Sequence, residues 1–296
     1  GPAYTRDDFD RRVNAALDVM VACNTAVAET LVDVTDDEVG LTALDWMLDI
    51  KARRADELTL RIGAYSPFGF TDAEPGRWAV FEEGARRADF IGCLPEADDT
   101  REHPDHIGFA EHCRRTVLLA RELGIPAQVH VDQRFEPSET GTEDLLEVLR
   151  ELGPGADSGG EPMVWAVHAV SPATYDDARF DRLIAGMLEC NVGLITCPSA
   201  ALGMRMYRPV QGPTGNCIPR VLELLAAGVR VRMGSDNIDD IASPSTTADL
   251  YDEVFALSAA IRFYDPEILA RIAAGMALTD DQRARVDAHL KDNSAA

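Results

Sequence analysis

The chain has no C-x-x-C pair, no dense cysteine framework and no signal-like start. Its six cysteines (Cys23, Cys93, Cys113, Cys190, Cys197 and Cys217) are scattered, which fits a reducing compartment and predicts a cytoplasmic protein. Basic residues are scarce. Against 51 Asp+Glu stand 28 Lys+Arg, a formal charge of -23 that repels phosphate backbones and anionic membranes, so nucleic acid and membrane surfaces are excluded as expected partners. No apolar run approaches the ~18 residues of a membrane span. The Gly-rich phosphate turn of a dinucleotide-binding sheet is also missing. The one glycine cluster, "GPGADSGG" at 153–160, falls between a helix and a strand and reads as a surface loop. The first residues are Gly-Pro rather than Met, and the expectation is that an upstream portion precedes them.

What is present is a strand-helix alternation. Apparent strands are "AVAETLVDV" (26–34), "LTLRIGAYS" (58–66), "DFIGCLP" (89–95), "AQVHVD" (127–132), "VWAVHAV" (164–170), "VGLITCPS" (192–199) and "VRVRMGSD" (229–236). Helical spacing links Phe9, Val13, Leu17 and Met20, and again Leu183, Ile184, Met187 and Leu188. Runs such as "VWAVHAV" do not alternate with polar residues, so the strands are expected to be buried on both faces, as in a parallel α/β sheet. A closed parallel barrel needs eight strands. Seven are found, and the sequence starts with a helix (about 6–23, with Thr5 as N-cap), so the missing unit is the first strand. After residue 237 only helical patterns follow, in "TADLYDEVFALSAAIRF", "PEILARIAAGMA" and "DDQRARVDAHLKD", with Pro266 separating the first two. At 296 residues, one (β/α)8 TIM-barrel domain spanning 1–296, with extra C-terminal helices from about 247, accommodates the whole pattern.

Function in such a barrel sits at the C-terminal strand ends. The strands end in Asp33, Tyr65-Ser66, Pro95-Glu96, His130-Asp132-Gln133, His168, Pro198-Ser199 and Asp236-Asn237. Taken singly, each histidine reads equally well as a buried side chain satisfied by a hydrogen bond. Together, His130, His168 and Asp236 are donor types that suit Zn²⁺ or Fe²⁺ and converge from separate strands. Other candidates carry less. "HPDH" (103–106) reads as a solvated helix start, His112 and His289 as surface or packing residues, and Cys197 as a small buried apolar group.

"QVHVDQ", "AVHAVSP" and "GVRVRMGSDNIDD", in that order on strands separated by helices, resemble the later metal-site motifs of the amidohydrolase superfamily. The likeness is to its cytosine deaminase branch, which includes the N-isopropylammelide hydrolases. It runs over roughly residues 4–240, through "ETLVDV", "IGCLPEADDTRE" and "CIPRVLELLAAGVRVRMGSDNI". The resemblance implies one divalent metal, Zn or Fe, and hydrolysis of a C–N bond in a small nitrogen-rich substrate. It places His130 as a metal ligand on the family's fifth strand. Asp236 becomes the last-strand aspartate that touches the metal and takes a proton from the attacking water, and His168 the histidine that holds that water or the substrate oxygen. Tyr65, Ser66, Gln133 and Asn237 fall at substrate-binding positions.

Three departures shape the expectation. The family's first-strand His-x-His pair has no counterpart, in keeping with the count of seven strands. Gln133 stands where cytosine deaminases place a proton-carrying glutamate, and a glutamine only donates and accepts hydrogen bonds. Many members add a β-sandwich, whereas this chain finishes in helices, so no C-terminal sandwich is expected. The alternative to a working hydrolase is a metal-free relative with a non-hydrolytic, binding or regulatory role. Exposed helices of barrels also pair, so a homo-oligomer is compatible with this reading.

Overall fold

A computed structural model describes residues 4–153, 160–203, 215–241 and 243–294. The chain divides into two compact units, residues 1–129 and 130–296. Among the described residues there are seven β-strands, and every strand pair with a described register is parallel. No described helix is long and apolar enough to cross a membrane.

In the first unit, α1 (Arg6–Ala22) starts where the Thr5 hydroxyl accepts the Asp8 N–H at 3.3 Å. Leu17 is buried and Phe9, Val13 and Met20 pack on the same core, as their spacing requires. Then follow β1 (Val27–Asp33), α2 (Thr42–Arg53), β2 (Thr59–Tyr65), α3 (Gly76–Ala85), β3 (Phe90–Cys93) and α4 (Phe109–Leu123), leading into β4 (Ala127–Val131). The strands lie in chain order, with Val27 opposite Thr59, Gly63 opposite Phe90 and Ile91 opposite Ala127. β3 is buried at all four positions, the mark of a strand covered on both faces.

In the second unit β4 ends with His130 and Val131. After it come α5 (Gly141–Leu152), β5 (Val164–His168), α6 (Asp177–Cys190), β6 (Val192–Thr196), α7 (Pro198–Gly203), α8 (Val221–Ala227) and β7 (Val231–Met233). β5 and β6 are buried at every residue. Gly193 of β6 makes room for the Trp165 ring of β5, since a methyl group there would meet the indole at 2.4 Å. Trp165 is held besides by its Nε1–H, donated to Pro162 O at 2.9 Å, and by the Arg232 guanidinium 4.1 Å from the ring centroid. Leu183 and Met187 are buried on α6, but Leu188, expected on the same face, is 46% exposed. It lies one step beyond the arc that the helix turns inward.

Three helices close the chain: α9 (Leu250–Ile261), α10 (Pro266–Ala273) and α11 (Asp280–Ser294). Asp249 caps α9 by accepting the Tyr251 N–H at 2.9 Å. Asp265 caps α10, placing Pro266 in the first turn, where its missing N–H costs nothing. The glycine cluster at 153–160 lies for the most part outside the described residues.

Candidate functional site

Parallel strands deliver their C-terminal residues to one end, and in the second unit three of those residues meet. The rings of His130 (β4) and His168 (β5) lie 5.4 Å apart between centroids, inclined at 55°. His168 Nε2 stands 3.9 Å from Oδ2 of Asp236, three residues past β7. That gap is wider than a hydrogen bond. The backbone at this point is unusual: His168 has φ +72°, the following Ala169 +46°, and Asp236 +64°. Left-handed backbone in residues other than glycine is uncommon and gathers at functional sites, where surrounding structure holds it.

The two sides of the gap differ electrostatically. His168 is 5% exposed, and burial pushes its pKa down to about 4, so at neutral pH the ring is an uncharged imidazole with one N–H and one lone pair. Asp236 keeps a third of its side chain in solvent. Burial of the remainder raises its pKa, and the nearby His130 ring draws it back down. A carboxyl with raised proton affinity is suited to accept a proton near neutral pH.

Two acids that sequence reasoning assigned no role are built into this end of the unit. Asp132 is 1% exposed, and its pKa is raised to about 6, chiefly by burial, against hydrogen bonds from Thr142 and Gly141. Glu253, on α9, is fully buried and accepts the Ser199 N–H at 2.9 Å and the Ser199 hydroxyl, fastening the residues that follow β6. Burial raises its pKa, and the charges of Asp252 and Asp236 add to the effect. The signal for Glu253 was an acid four residues before Leu257, which puts it on the same face of the helix as that apolar residue.

The remaining candidates are placed as follows. Gln133 is half-buried in the loop directly after Asp132, and Asn237 is exposed next to Asp236, its carbonyl accepting the Thr246 hydroxyl. Tyr65 ends β2 half-buried. Ser66 is buried and donates its hydroxyl to Phe68 O at 3.0 Å; both belong to the first unit. Cys197 is buried, and burial together with the charges of Asp236 and Glu253 pushes its thiol well above the ordinary range, so it is no nucleophile. "HPDH" is exposed at residues 103–105, as expected, but lies ahead of α4 rather than starting it, and its last histidine turns inward. His106 Nδ1 lies 2.8 Å from Oδ1 of the fully buried Asp98, and His112, itself buried, reaches Oδ2 at 2.7 Å. Asp98 also accepts the Phe70 N–H at 2.7 Å, so these histidines satisfy a buried carboxylate.

Two imidazoles and a carboxylate are the donor types a divalent ion takes, and the uncharged His168 keeps a lone pair free. Yet among the described residues no group of three or more His, Cys, Asp or Glu is arranged to hold a metal ion. His130, His168 and Asp236 are therefore donor types that suit such an ion, without being arranged as a site for one.

No family profile matches the sequence. An uncharacterized protein of Haemophilus influenzae is 27% identical over 199 residues, which is 66% of either chain. Among solved structures, 5-methylcytosine deaminase from Klebsiella pneumoniae liganded with phosphonocytosine is similar with a TM-score of 0.78 at 24% identity, over 96% of this chain and 65% of that one. N-isopropylammelide isopropylaminohydrolase from Burkholderia multivorans has a TM-score of 0.68 at 22% identity, over 92% and 67%. A triazine hydrolase variant has a TM-score of 0.61 at 14% identity, over 94% and 58%. At these identities the likeness shows the fold, that of deaminases and hydrolases of small nitrogenous compounds. The chain spans about two thirds of the length of the relatives it matches.

Proposed function

We propose that this chain is the catalytic part of an amidohydrolase that cleaves a C–N bond of a small nitrogen-rich compound by hydrolysis. The observation that carries the reading is the meeting of His130, His168 and Asp236 from three strand ends, two of them on left-handed backbone. The fold likeness supports it, and the architecture we infer is the eight-stranded barrel, with one strand beyond the seven described. Both named relatives, the 5-methylcytosine deaminase and the N-isopropylammelide hydrolase, point to nitrogen heterocycles bearing an amino or alkylamino group as the substrate class.

A divalent metal, Zn or Fe, held by His130 and Asp236 with further ligands would make water a nucleophile at neutral pH. The chain's own residues do the rest. Asp236, with its raised proton affinity, takes the proton that water gives up as it attacks the ring carbon. His168, uncharged, turns its N–H to the oxygen on which negative charge develops. Gln133 orients the substrate by hydrogen bonds but cannot carry a proton, so Asp236 also returns the proton to the leaving amine. Asn237 adds a further substrate contact in this reading.

The test is elemental analysis of the purified protein together with amine release from a panel of amino- and alkylamino-substituted pyrimidines and triazines, with and without added Zn²⁺ or Fe²⁺. Bound metal, turnover, and loss of turnover in folded His168→Ala and Asp236→Ala variants are expected. No metal and no turnover under any addition would overturn the reading in favour of a metal-free binding or regulatory barrel.

A further inference from the structure

Asp132 uses every oxygen it has, and on two different partners. Its carboxylate faces the start of α5: Oδ1 accepts the Gly141 N–H at 2.7 Å, and Oδ2 accepts the Thr142 N–H at 2.8 Å and the Thr142 hydroxyl. Its carbonyl oxygen faces the chain that leaves β5, accepting the N–H groups of Val170 at 3.0 Å and Ser171 at 3.1 Å. Just before these, the Ala169 N–H is donated to Val131 O at 3.1 Å. Three consecutive amides after His168 are thus hung on the two residues that follow His130.

Backbone and packing confirm that the joint is tight. Asp132 has φ +57°, a conformation Asp and Asn tolerate better than most residues, and this helps aim its carbonyl sideways. Gly141 lets the carboxylate come close, since a methyl group there would lie 3.1 Å from Oδ1. With the side chain 1% exposed, no water competes for these bonds. A carboxylate fixed to a helix N-terminus is a rigid anchor, because it meets free amides and the positive end of the helix dipole. His130 lies two residues before this anchor, and His168 one residue before the amides it holds.

We propose that Asp132 is a positioning residue that sets the spacing between the His130 and His168 rings. It touches no substrate, and its catalytic weight rests on the reading of those two as working imidazoles. Asp132→Asn keeps volume and backbone preference but turns one acceptor oxygen into a donor, which faces an N–H or hydroxyl donor of Gly141 or Thr142. Thr142→Val removes one donor alone.

Both variants of the full chain are compared with the parent in melting temperature, in imidazole ¹⁵N correlation spectra without metal, and in ammonia release from 5-methylcytosine with Zn²⁺. We expect folded variants in which the His130 and His168 ring signals move or double. In Asp132→Asn kcat falls roughly tenfold to a hundredfold, the usual effect of losing a supporting partner, with KM within about twofold, and Thr142→Val loses less. Unchanged ring signals in folded Asp132→Asn overturn the proposal, and so does an activity loss that only follows the unfolded fraction. If the parent neither binds zinc nor releases ammonia while the variant's ring signals still move, the functional reading fails and the positioning role is supported. Should Asp132→Asn not fold, the ring signals of Thr142→Val decide in the same way.

Discussion

Acid should find His168 hard to protonate, and the size of the effect follows from where the ring sits. Burial takes its pKa from 6.5 to about 4, a preference for the neutral ring of roughly 3 kcal/mol. A competing force is present: Asp236 Oδ2 is 3.9 Å from Nε2, and a fully ionised pair at that distance would attract by on the order of 4 kcal/mol at an effective dielectric of 20. Desolvation prevails because Asp236 is itself pushed toward its neutral form and is partly screened by solvent. The folded pKa lies below the unfolded one, so the native state binds fewer protons, and the stability carried by this group is present above pH 6.5 and lost as pH falls toward 4. A global melt would hide this, because Asp132 runs the other way. Raised from 3.8 to about 6, it contributes stability below pH 3.8 that is lost as pH rises through 6. The proper assay is therefore local: long-range ¹H–¹⁵N imidazole correlations of the chelator-treated protein from pH 3.5 to 7.5, with His168→Gln assigning the signal. A midpoint near 4 is expected. One at or above 6 would refute the burial argument and show that the carboxylate's attraction decides the charge.

Gly193→Ala drives a methyl group to within 2.4–2.9 Å of the Trp165 ring, which Pro162 O and Arg232 keep from retreating; a loss of about 1–3 kcal/mol, seen as a lower melting temperature, is expected. Glu253→Ala leaves the Ser199 N–H and hydroxyl without their buried acceptor and should cost about 1–3 kcal/mol in denaturant unfolding; an unchanged midpoint would count against the clamp. Gln133→Glu adds a second proton carrier beside Asp236, and amine release should rise by roughly 10²-fold or more for poor leaving groups; a rate equal to the parent's would mean that proton return by Asp236 does not limit turnover.

Each of the seven strand intervals expected from the sequence contains a strand, but the C-terminal ends retreat by one to three residues. In "VGLITCPS" the strand stops at Thr196 because Pro198 opens a helix, and in "VRVRMGSD" it stops at Met233, before Gly234. Period and β-branching show where a strand is, and the polar residues at its end mark where it has already left the sheet. His130, His168 and Asp236 could be picked out for that reason. The part of Asp132 could not, since its partners lie nine and ten residues along the chain and are reached only through a left-handed turn. Glu253 escaped notice because it comes from a helix after the last strand, and Asp98 because nothing in the spacing of His106 and His112 shows that both meet on it.

The left-handed backbone at Asp132, His168 and Asp236 also limits what can be learned by randomising this end of the chain. At each position the main chain screens a library before any chemistry is assayed: Asn, Asp, His and Gly pass, while Val, Ile and Thr fail on steric grounds alone. Inactive clones from such a library would mix misfolded proteins with intact ones that lack the reacting group. Substitutions drawn from the permitted set, such as His168→Asn or Asp236→Asn, separate the two causes.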